Sequence, residues 1–244
     1  MSTPRLALLL PPSEGKAIGG RRRGWEPGLG RFGELAPQRS AVAAALAAVG
    51  GGDERLLGVR GALLDRGRAA NIALVGAPTM PAGERYTGVV WESLALRDAS
   101  EDVRRRAMSS VAVLSALHGV VSWGDPIPDY RLKIGANLPP LGKLSAWWRE
   151  PLSAALARWT GGRFVVDLLT NDVRAAWAPA PRVRGIRVQF VERAEDGSRG
   201  VVGHDAKAAK GRLARHLLES TADPLDALEQ WDDARFRLVV TPLR

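Results

Sequence analysis

The chain has 244 residues, 45% of them hydrophobic and 25% charged, and it contains no cysteine. That composition excludes a disulfide framework, a Cys–zinc site, an iron–sulfur cluster and thiol catalysis, and it supplies enough apolar mass for one large domain. The 35 Lys+Arg against 26 Asp+Glu give a net charge of +9, which favours a polyanionic partner such as nucleic acid, although an Arg-rich solvated surface accounts for the excess almost as well.

Residues 5–10 predict a short buried strand that stops at Pro11-Pro12. The run is shorter than the ~7–15 apolar residues of a signal peptide, and no run approaches the ~18–20 residues of a membrane helix. A cytoplasmic protein without membrane contact is the expectation. Residues 15–37, rich in Gly and Pro, predict a long loop. Residues 39–49 predict an Ala-rich helix ended by Gly50-Gly51-Gly52, with Asp53 capping a second one. Helices are expected over 84–97 and 99–108, the latter capped by Ser100. Val111 to Leu114 predicts a buried strand, and 122–142 a polar loop. Residues 143–159 predict a helix with Leu144, Trp148, Leu152, Ala155 and Trp159 on one face; Pro151 either kinks it or starts a second helix. A strand over 164–169 and a short helix over 171–177 follow. Strands at 185–192 and 199–203 flank Glu195-Asp196-Gly197, a hairpin signal. Helices over 205–219 and 224–230 and a strand over 236–241 complete the chain. The mixture predicts an α/β (mixed α+β) fold, one domain over 1–244 with a helical subregion at about 39–75.

Five segments carry candidate chemistry. In Pro11-Pro12-Ser13-Glu14-Gly15-Lys16 a buried strand emerges into a hydroxyl, an acid and a cation. It is no Walker A loop, because Leu10 stands where a Gly is required and Ala17 follows the Lys. In the 84–91 segment Tyr86 and Thr87 offer hydroxyls beside Gly88; Tyr86, Val90 and Trp91 equally suit one packed helical face. The third segment joins Ser115 and His118 to Asp129-Tyr130-Arg131-Leu132-Lys133. Pro128 keeps that run extended, so Asp129, Arg131 and Lys133 point one way and Tyr130 and Leu132 the other. One acid beside two cations suits an anion such as phosphate, with Asp129 orienting Arg131; the competing explanation is a surface salt bridge. The fourth, Leu57-Gly58-Val59-Arg60-Gly61, is a tight turn between helices that could present backbone N–H groups to phosphates, as a helix-hairpin-helix does. Arg60 breaks the usual Gly-hydrophobic-Gly pattern, and on the motif alone an ordinary helical hairpin is the better reading. The fifth spreads Lys207, Lys210, Arg212 and Arg215 over a wide helix face opposite Ala209, Leu213 and Leu217. His118, His204 and His216 form no metal-ligand spacing, so neither a metal nor another cofactor is expected.

The ordered set PPSEGK (11–16), ERYTGVVW (84–91), LSALHGV (114–120), DYRLKIG (129–135), GKLSAWW (142–148) and KAAKGRLARHLL (207–218) resembles the YaaA, or peroxide stress protein, family. The resemblance implies a cytoplasmic bacterial protein linked to oxidative stress and to limiting free intracellular iron. It implies an α/β fold with a helix-hairpin-helix element, a positively charged cleft and double-stranded DNA binding. Matched by motif, the cleft candidates are Lys16, Tyr86, Asp129, Arg131, Lys133, Lys143, Lys207 and Lys210. Ser13, Thr87, Ser115, Tyr130, Asn171, Arg212, Gly58 and Arg60 complete the candidate binding set. The chain departs from the family pattern at Thr170-Asn171-Asp172-Val173 and at His204-Asp205. The alternative function is an enzyme acting on a nucleotide, nucleobase or other small anion. Lys16, Arg131 and Lys133 would then hold the anion, and Glu14, Asp129 or Asp172 would act as general acid or base. A monomer is the expected state.

Overall fold

Leu6 to Leu10 do not alternate between apolar and polar, as a strand with one wet face would. In the computed structural model, which describes residues 5–193 and 204–243, the reason is position. Strand β1 (Arg5–Leu10) lies inside a six-stranded sheet, between a parallel neighbour on each side, and Ala7 to Leu10 are wholly buried. Strands covered on both faces read as continuous apolar runs.

The chain leaves the sheet at Leu10 and returns only at Val111. The excursion holds β2 (Arg22–Gly24), α1 (Ala36–Ala48), α2 (Glu54–Leu57), α3 (Ala62–Ile72), β3 (Pro78–Pro81), α4 (Ala82–Arg85), α5 (Val89–Leu94) and α6 (Glu101–Ser110). Then come β4 (Val111–Ser115), β5 (Gly119–Ser122), the short pieces β6 (Pro126–Ile127), β7 (Asn137–Leu138) and β8 (Gly142–Lys143), and α7 (Leu144–Trp159). The chain ends with β9 (Arg163–Asp167), α8 (Asn171–Arg174), β10 (Arg184–Glu192), α9 (His204–Glu219), α10 (Pro224–Glu229) and β11 (Phe236–Pro242). The sheet order is β11-β10-β9-β1-β4-β5. The four central strands are parallel, and each edge strand is antiparallel to its neighbour. This is the mixed α/β architecture the sequence predicts. Among the described residues no helix is long and apolar enough to cross a membrane. The hairpin expected at 195–197 and its second strand at 199–203 lie outside the described residues.

Several predicted elements change. The loop over 15–37 is interrupted by β2, and helix α1 begins at Ala36, with Pro37 tolerated in its first turn. Asp53 caps α2 by accepting from the Leu56 N–H, and Ser100 caps α6 from Val103. Strand β5 precedes the loop expected over 122–142, in a stretch with no predicted element, and it turns back at Gly119 in a left-handed conformation (φ 68°). A Cβ there would stand 2.6 Å from the Trp148 ring, whose indole N–H donates to the Ala116 carbonyl. Helix α7 runs unbroken through Pro151 and buries Leu144, Trp148, Leu152 and Ala155, with Trp159 partly buried.

Helix α9 buries Ala209, Leu213 and Leu217 and packs against α5. Gly211 sets the closeness of that packing: a Cβ would lie 2.3 Å from the Val90 carbonyl oxygen and 2.7 Å from the Ser93 Cβ. Gly211→Ala should destabilise the protein by about 3 kcal/mol in urea denaturation, because overpacking outweighs the ~1 kcal/mol helix preference for alanine. An unchanged or higher stability would contradict the α5–α9 contact.

Candidate functional site

The residues that follow β1 build the floor of a pocket. Gly15 to Ala17 run extended beside Arg85 to Thr87, with Lys16 and Tyr86 as bridge partners. The Thr87 N–H donates to the Gly15 carbonyl at 3.1 Å, and the Ala17 N–H to the Arg85 carbonyl at 2.8 Å. These bonds break the helix predicted over 84–97: α4 ends at Arg85, Tyr86 is extended, and α5 starts after Gly88 at φ 98°. Arg85 is fully buried and donates to the carbonyls of Ala17, Pro78 and Ile127. It locks the two segments together. Gly15 admits close approach, since a Cβ there would meet the Thr87 hydroxyl at 2.7 Å. Tyr86 also packs on Trp91, with ring centroids 4.9 Å apart, but it is extended and lies outside α5, so the contact is not the single helical face that the motif equally suits.

The second wall is the extended run 129–133. Tyr130 and Leu132 are buried, while Asp129, Arg131 and Lys133 face outward, as the alternation predicts. Asn71 of α3 holds this run in place. Its side chain accepts from the Arg131 N–H at 2.9 Å and donates to the Arg131 carbonyl at 2.8 Å. The pairing inside the site differs from the expectation that Asp129 orients Arg131. Asp129 accepts from Arg66 at 2.7 and 3.1 Å, and Glu14 takes both Arg131 at 3.0 Å and Lys133 at 3.2 Å. The reason is the alternation plus α3: Arg66 reaches Asp129 from the opposite wall, leaving Arg131 to the strand-end loop. Between these walls lies a cavity of about 160 Å³, lined by Glu14, Lys16, Arg66, Asp129, Tyr130 and Arg131 among others.

Lys16 is the group whose chemistry is most altered. Its ammonium sits 4.1 Å from the centroid of the Tyr130 ring and 5.7 Å from that of Tyr86, and it donates to the Ser13 carbonyl at 3.0 Å. Burial of the ammonium lowers its pKa from the ordinary 10.5 to about 7; Asp129 and Glu14 oppose the shift, and Arg131 and Arg85 add to it. Lys16 as a residue is half-buried and lines the pocket. The Tyr86 and Tyr130 hydroxyls are hydrogen-bonded at 2.8 Å. Burial pushes Tyr130 up to about 12 and Tyr86 well above its usual range, with the Ser115 hydroxyl tempering both. Ser115 in turn lies 3.2 Å from His118 Nδ1. Burial, then Arg39 and Lys16, hold His118 well below the usual histidine range, so its imidazole is neutral. The two phenols, Ser115 and His118 therefore form one buried polar cluster, with the Lys16 ammonium against the phenol rings.

Of the remaining predicted residues Thr87 lines the pocket and Ser13 lies in the strand-end loop, while the others fall elsewhere. Gly58 ends α2 in the left-handed conformation with the Lys133 ammonium against it. Arg60 is exposed and paired with Glu54 at 2.9 Å. Lys143, at the start of α7, and Lys207 are exposed and do not line the pocket. Arg212 pairs with Asp233. Lys210 instead joins a second polar cluster at the end of β9: it donates to the Leu168 carbonyl, close to the buried Asp167–Arg174 pair. Burial lowers Lys210 to about 8. Asn171 accepts from Arg187 at 2.7 Å beside it, and Asp172 is exposed on α8. Register places Asp167 next to Leu9 in the sheet, so both clusters lie along the carboxyl ends of the parallel strands.

Sequence reasoning missed Arg66, Asn71, Arg85, Asp167 and Arg174. Arg66 and Asn71 lie on a short amphipathic helix where nothing separates them from ordinary surface polars. Asp167 carried a usable signal: it is a carboxylate directly after the apolar run Phe164-Val-Val166, inside the strand predicted over 164–169.

Comparison with known proteins gives the chain a family. A family model described as "Peroxide stress protein YaaA" matches residues 6–240. A UPF0246 protein of Streptomyces coelicolor is 39% identical over 224 residues, covering 90% of this chain and 85% of the relative. UPF0246 proteins of Corynebacterium efficiens and Corynebacterium glutamicum are 36% and 35% identical, covering 94% and 91% of this chain and 92% and 89% of their own lengths. With the model matching nearly the whole chain and relatives above 30% identity along most of it, this protein belongs to the peroxide stress protein YaaA (UPF0246) family.

Proposed function

We propose that the protein is a cytoplasmic, DNA-binding member of this stress-protection family, and that it meets duplex DNA with the α2–α3 turn and the lip of the Lys16 pocket. One observation carries the reading. The turn Gly58–Gly61 leaves α2 and enters α3 through two glycines at positive φ, at the edge of a pocket where Arg66, Arg131 and Lys133 outnumber Glu14 and Asp129. Such a helix-hairpin-helix-like turn offers backbone N–H groups at the start of α3 to a phosphate. Exposed Arg55 and Arg60 flank it. Contacts of this kind are blind to sequence. With about four phosphates neutralised, affinity should fall about 100-fold between 50 and 200 mM salt. Fluorescence anisotropy with a labelled duplex checks this. The Arg60→Glu, Lys133→Glu double variant should bind at least about 10-fold more weakly at low salt. Undetectable binding of the unaltered protein at 50 mM salt sinks the proposal. DNA occupancy under peroxide stress is the proposed link to iron limitation: bound duplex is shielded where free iron would generate damaging radicals.

The geometry of Lys16 favours a second reading, an enzyme for a small anionic or nucleotide-like substrate in the same pocket. Glu14 and Asp129 are both engaged in ion pairs, and Asp172 does not line the pocket. The near-neutral Lys16 amine is then the better general base or nucleophile. Thermal stabilisation by a nucleotide that is lost in Lys16→Met would support it; no stabilisation by any nucleotide or base, together with tight duplex binding, would count against it.

A further inference from the structure

A second cavity, larger than the Lys16 pocket, lies apart from it. A groove of about 520 Å³ opens at the other end of β1, where the strand begins. Six residues of strand separate the two ends by roughly 20 Å. The groove lies between the start of β1, the second half of α6, the start of β9 and the α9–α10 connection. Its volume falls within the roughly 300–1,000 Å³ typical of small-molecule sites, whereas the Lys16 pocket falls below it.

Four guanidiniums border the groove: Arg5, Arg105, Arg106 and Arg163. No carboxylate lines it among the described residues, in contrast to the Lys16 pocket with Glu14 and Asp129. Arg105 is partly neutralised by Asp102 at 3.1 Å and Glu101 at 3.6 Å, both exposed. Arg5 and Arg106 have no ion pair among the described residues. Arg163 is held in place rather than neutralised. It donates to the carbonyls of Leu6 and Ser109 and lies 5.0 Å from the Trp159 ring centroid. Burial presses its pKa down, with the charges of Arg31 and Arg5 adding to the shift. The hydroxyl-bearing residues Ser109 and Thr221 also line the groove, and its floor is apolar, with Leu6, Leu217 and Pro224.

Several unneutralised guanidiniums match a phosphoryl or diphosphoryl group better than a single carboxylate, since a planar fork pairs bidentately with phosphate oxygens. The apolar floor matches a flat or aliphatic body attached to that group. We propose that this groove binds a phosphorylated small molecule with an apolar body, of the nucleoside diphosphate class, at a site separate from the Lys16 pocket. The proposal is independent of the DNA reading, because it uses none of the residues of the α2–α3 turn.

Isothermal titration calorimetry at ~0.15 M salt, where surface charge is largely screened, tests it with ADP, pyrophosphate and adenosine as probes. ADP is expected to bind, pyrophosphate about 10-fold more weakly, and adenosine undetectably. Arg106→Glu and Arg5→Glu should each weaken ADP at least about 10-fold, while Arg97→Glu, an equal change of charge outside the groove, should stay within about 2-fold. Thermal melts confirm that each variant is folded. Silence of ADP up to about 1 mM overturns the proposal. Pyrophosphate binding as tightly as ADP overturns the assigned ligand class. Equal weakening by Arg106→Glu and Arg97→Glu overturns the site, and weakening of duplex binding by Arg106→Glu with ADP unaffected transfers the groove to the polymer and overturns it as a small-molecule site.

Discussion

Arg39→Ala should lower the stability of the protein by about 3–5 kcal/mol, the largest effect expected from any single substitution considered. Arg39 is fully buried in α1. Its guanidinium donates to four backbone carbonyls: His118 at 3.0 Å, Val120 at 2.9 Å, Pro27 at 3.0 Å and Leu29 at 2.9 Å. The first two belong to the β4–β5 turn and β5, and the other two to the loop before α1. One side chain therefore pins the loop to the edge of the sheet. Alanine leaves those acceptors without donors, in a site too enclosed for free hydration, and opens a cavity as well. Arg39→Lys should recover only part of the loss, because an ammonium cannot reach four carbonyls arranged for a planar fork. Urea denaturation measures both. A loss below about 1 kcal/mol for Arg39→Ala would show that the four bonds are readily replaced by water.

The second large effect concerns Lys16. With its amine near 7, about three-quarters of it is neutral at pH 7.5, against about one part in a thousand for a lysine at 10.5. Competitive labelling with acetic anhydride, read by mass spectrometry, should find Lys16 titrating near 7 and reacting ahead of Lys133, Lys143 and Lys207 at neutral pH. Parallel titration of every lysine near 10 would contradict the burial of the ammonium. The same shift has a stability counterpart. The unfolded chain keeps Lys16 protonated up to about 10.5, while the folded one loses the proton near 7. Between those values the unfolded state binds more protons, so this residue makes stability rise with pH across that window. Below about 7 both states are protonated, and the folded state carries the whole desolvation penalty. Lys16→Met should remove that rise. The Tyr130 face 4.1 Å away offsets part of the penalty by attracting the ammonium, so Tyr130→Leu should lower the Lys16 pKa further.

Much of the fold was legible from pattern. Unbroken apolar runs announced β1, β4 and β9, and the caps at Asp53 and Ser100 set two helix starts to the residue. The failures have a common cause, which is long-range pairing. Tyr86 and Thr87 have helical neighbours but are extended because they pair with Gly15 and Lys16, about seventy residues earlier. Strand β5 was hidden because a turn of three residues at 116–118 carries no Asn-Gly or Asp-Gly signal. The candidate site was legible as residue types and not as partners. Alternation correctly set Asp129, Arg131 and Lys133 on one side, yet whether Asp129 meets Arg131 or Arg66 depends on where α3 docks. Local sequence holds no trace of that. Two of the five lysines, Lys16 and Lys210, have their ammonium groups desolvated at the strand ends, where an amine can lose its proton and a guanidinium cannot.

The proposed duplex interface, the α2–α3 turn at the edge of the Lys16 pocket, is tested by amide chemical shifts followed by NMR during titration with a short duplex. The largest shifts are expected at Gly58, Val59, Arg60 and Gly61, with a second group at Arg131 to Lys133. No shifts on saturation, or shifts confined to α6 and the start of β9 around Arg106 and Arg163, would contradict it.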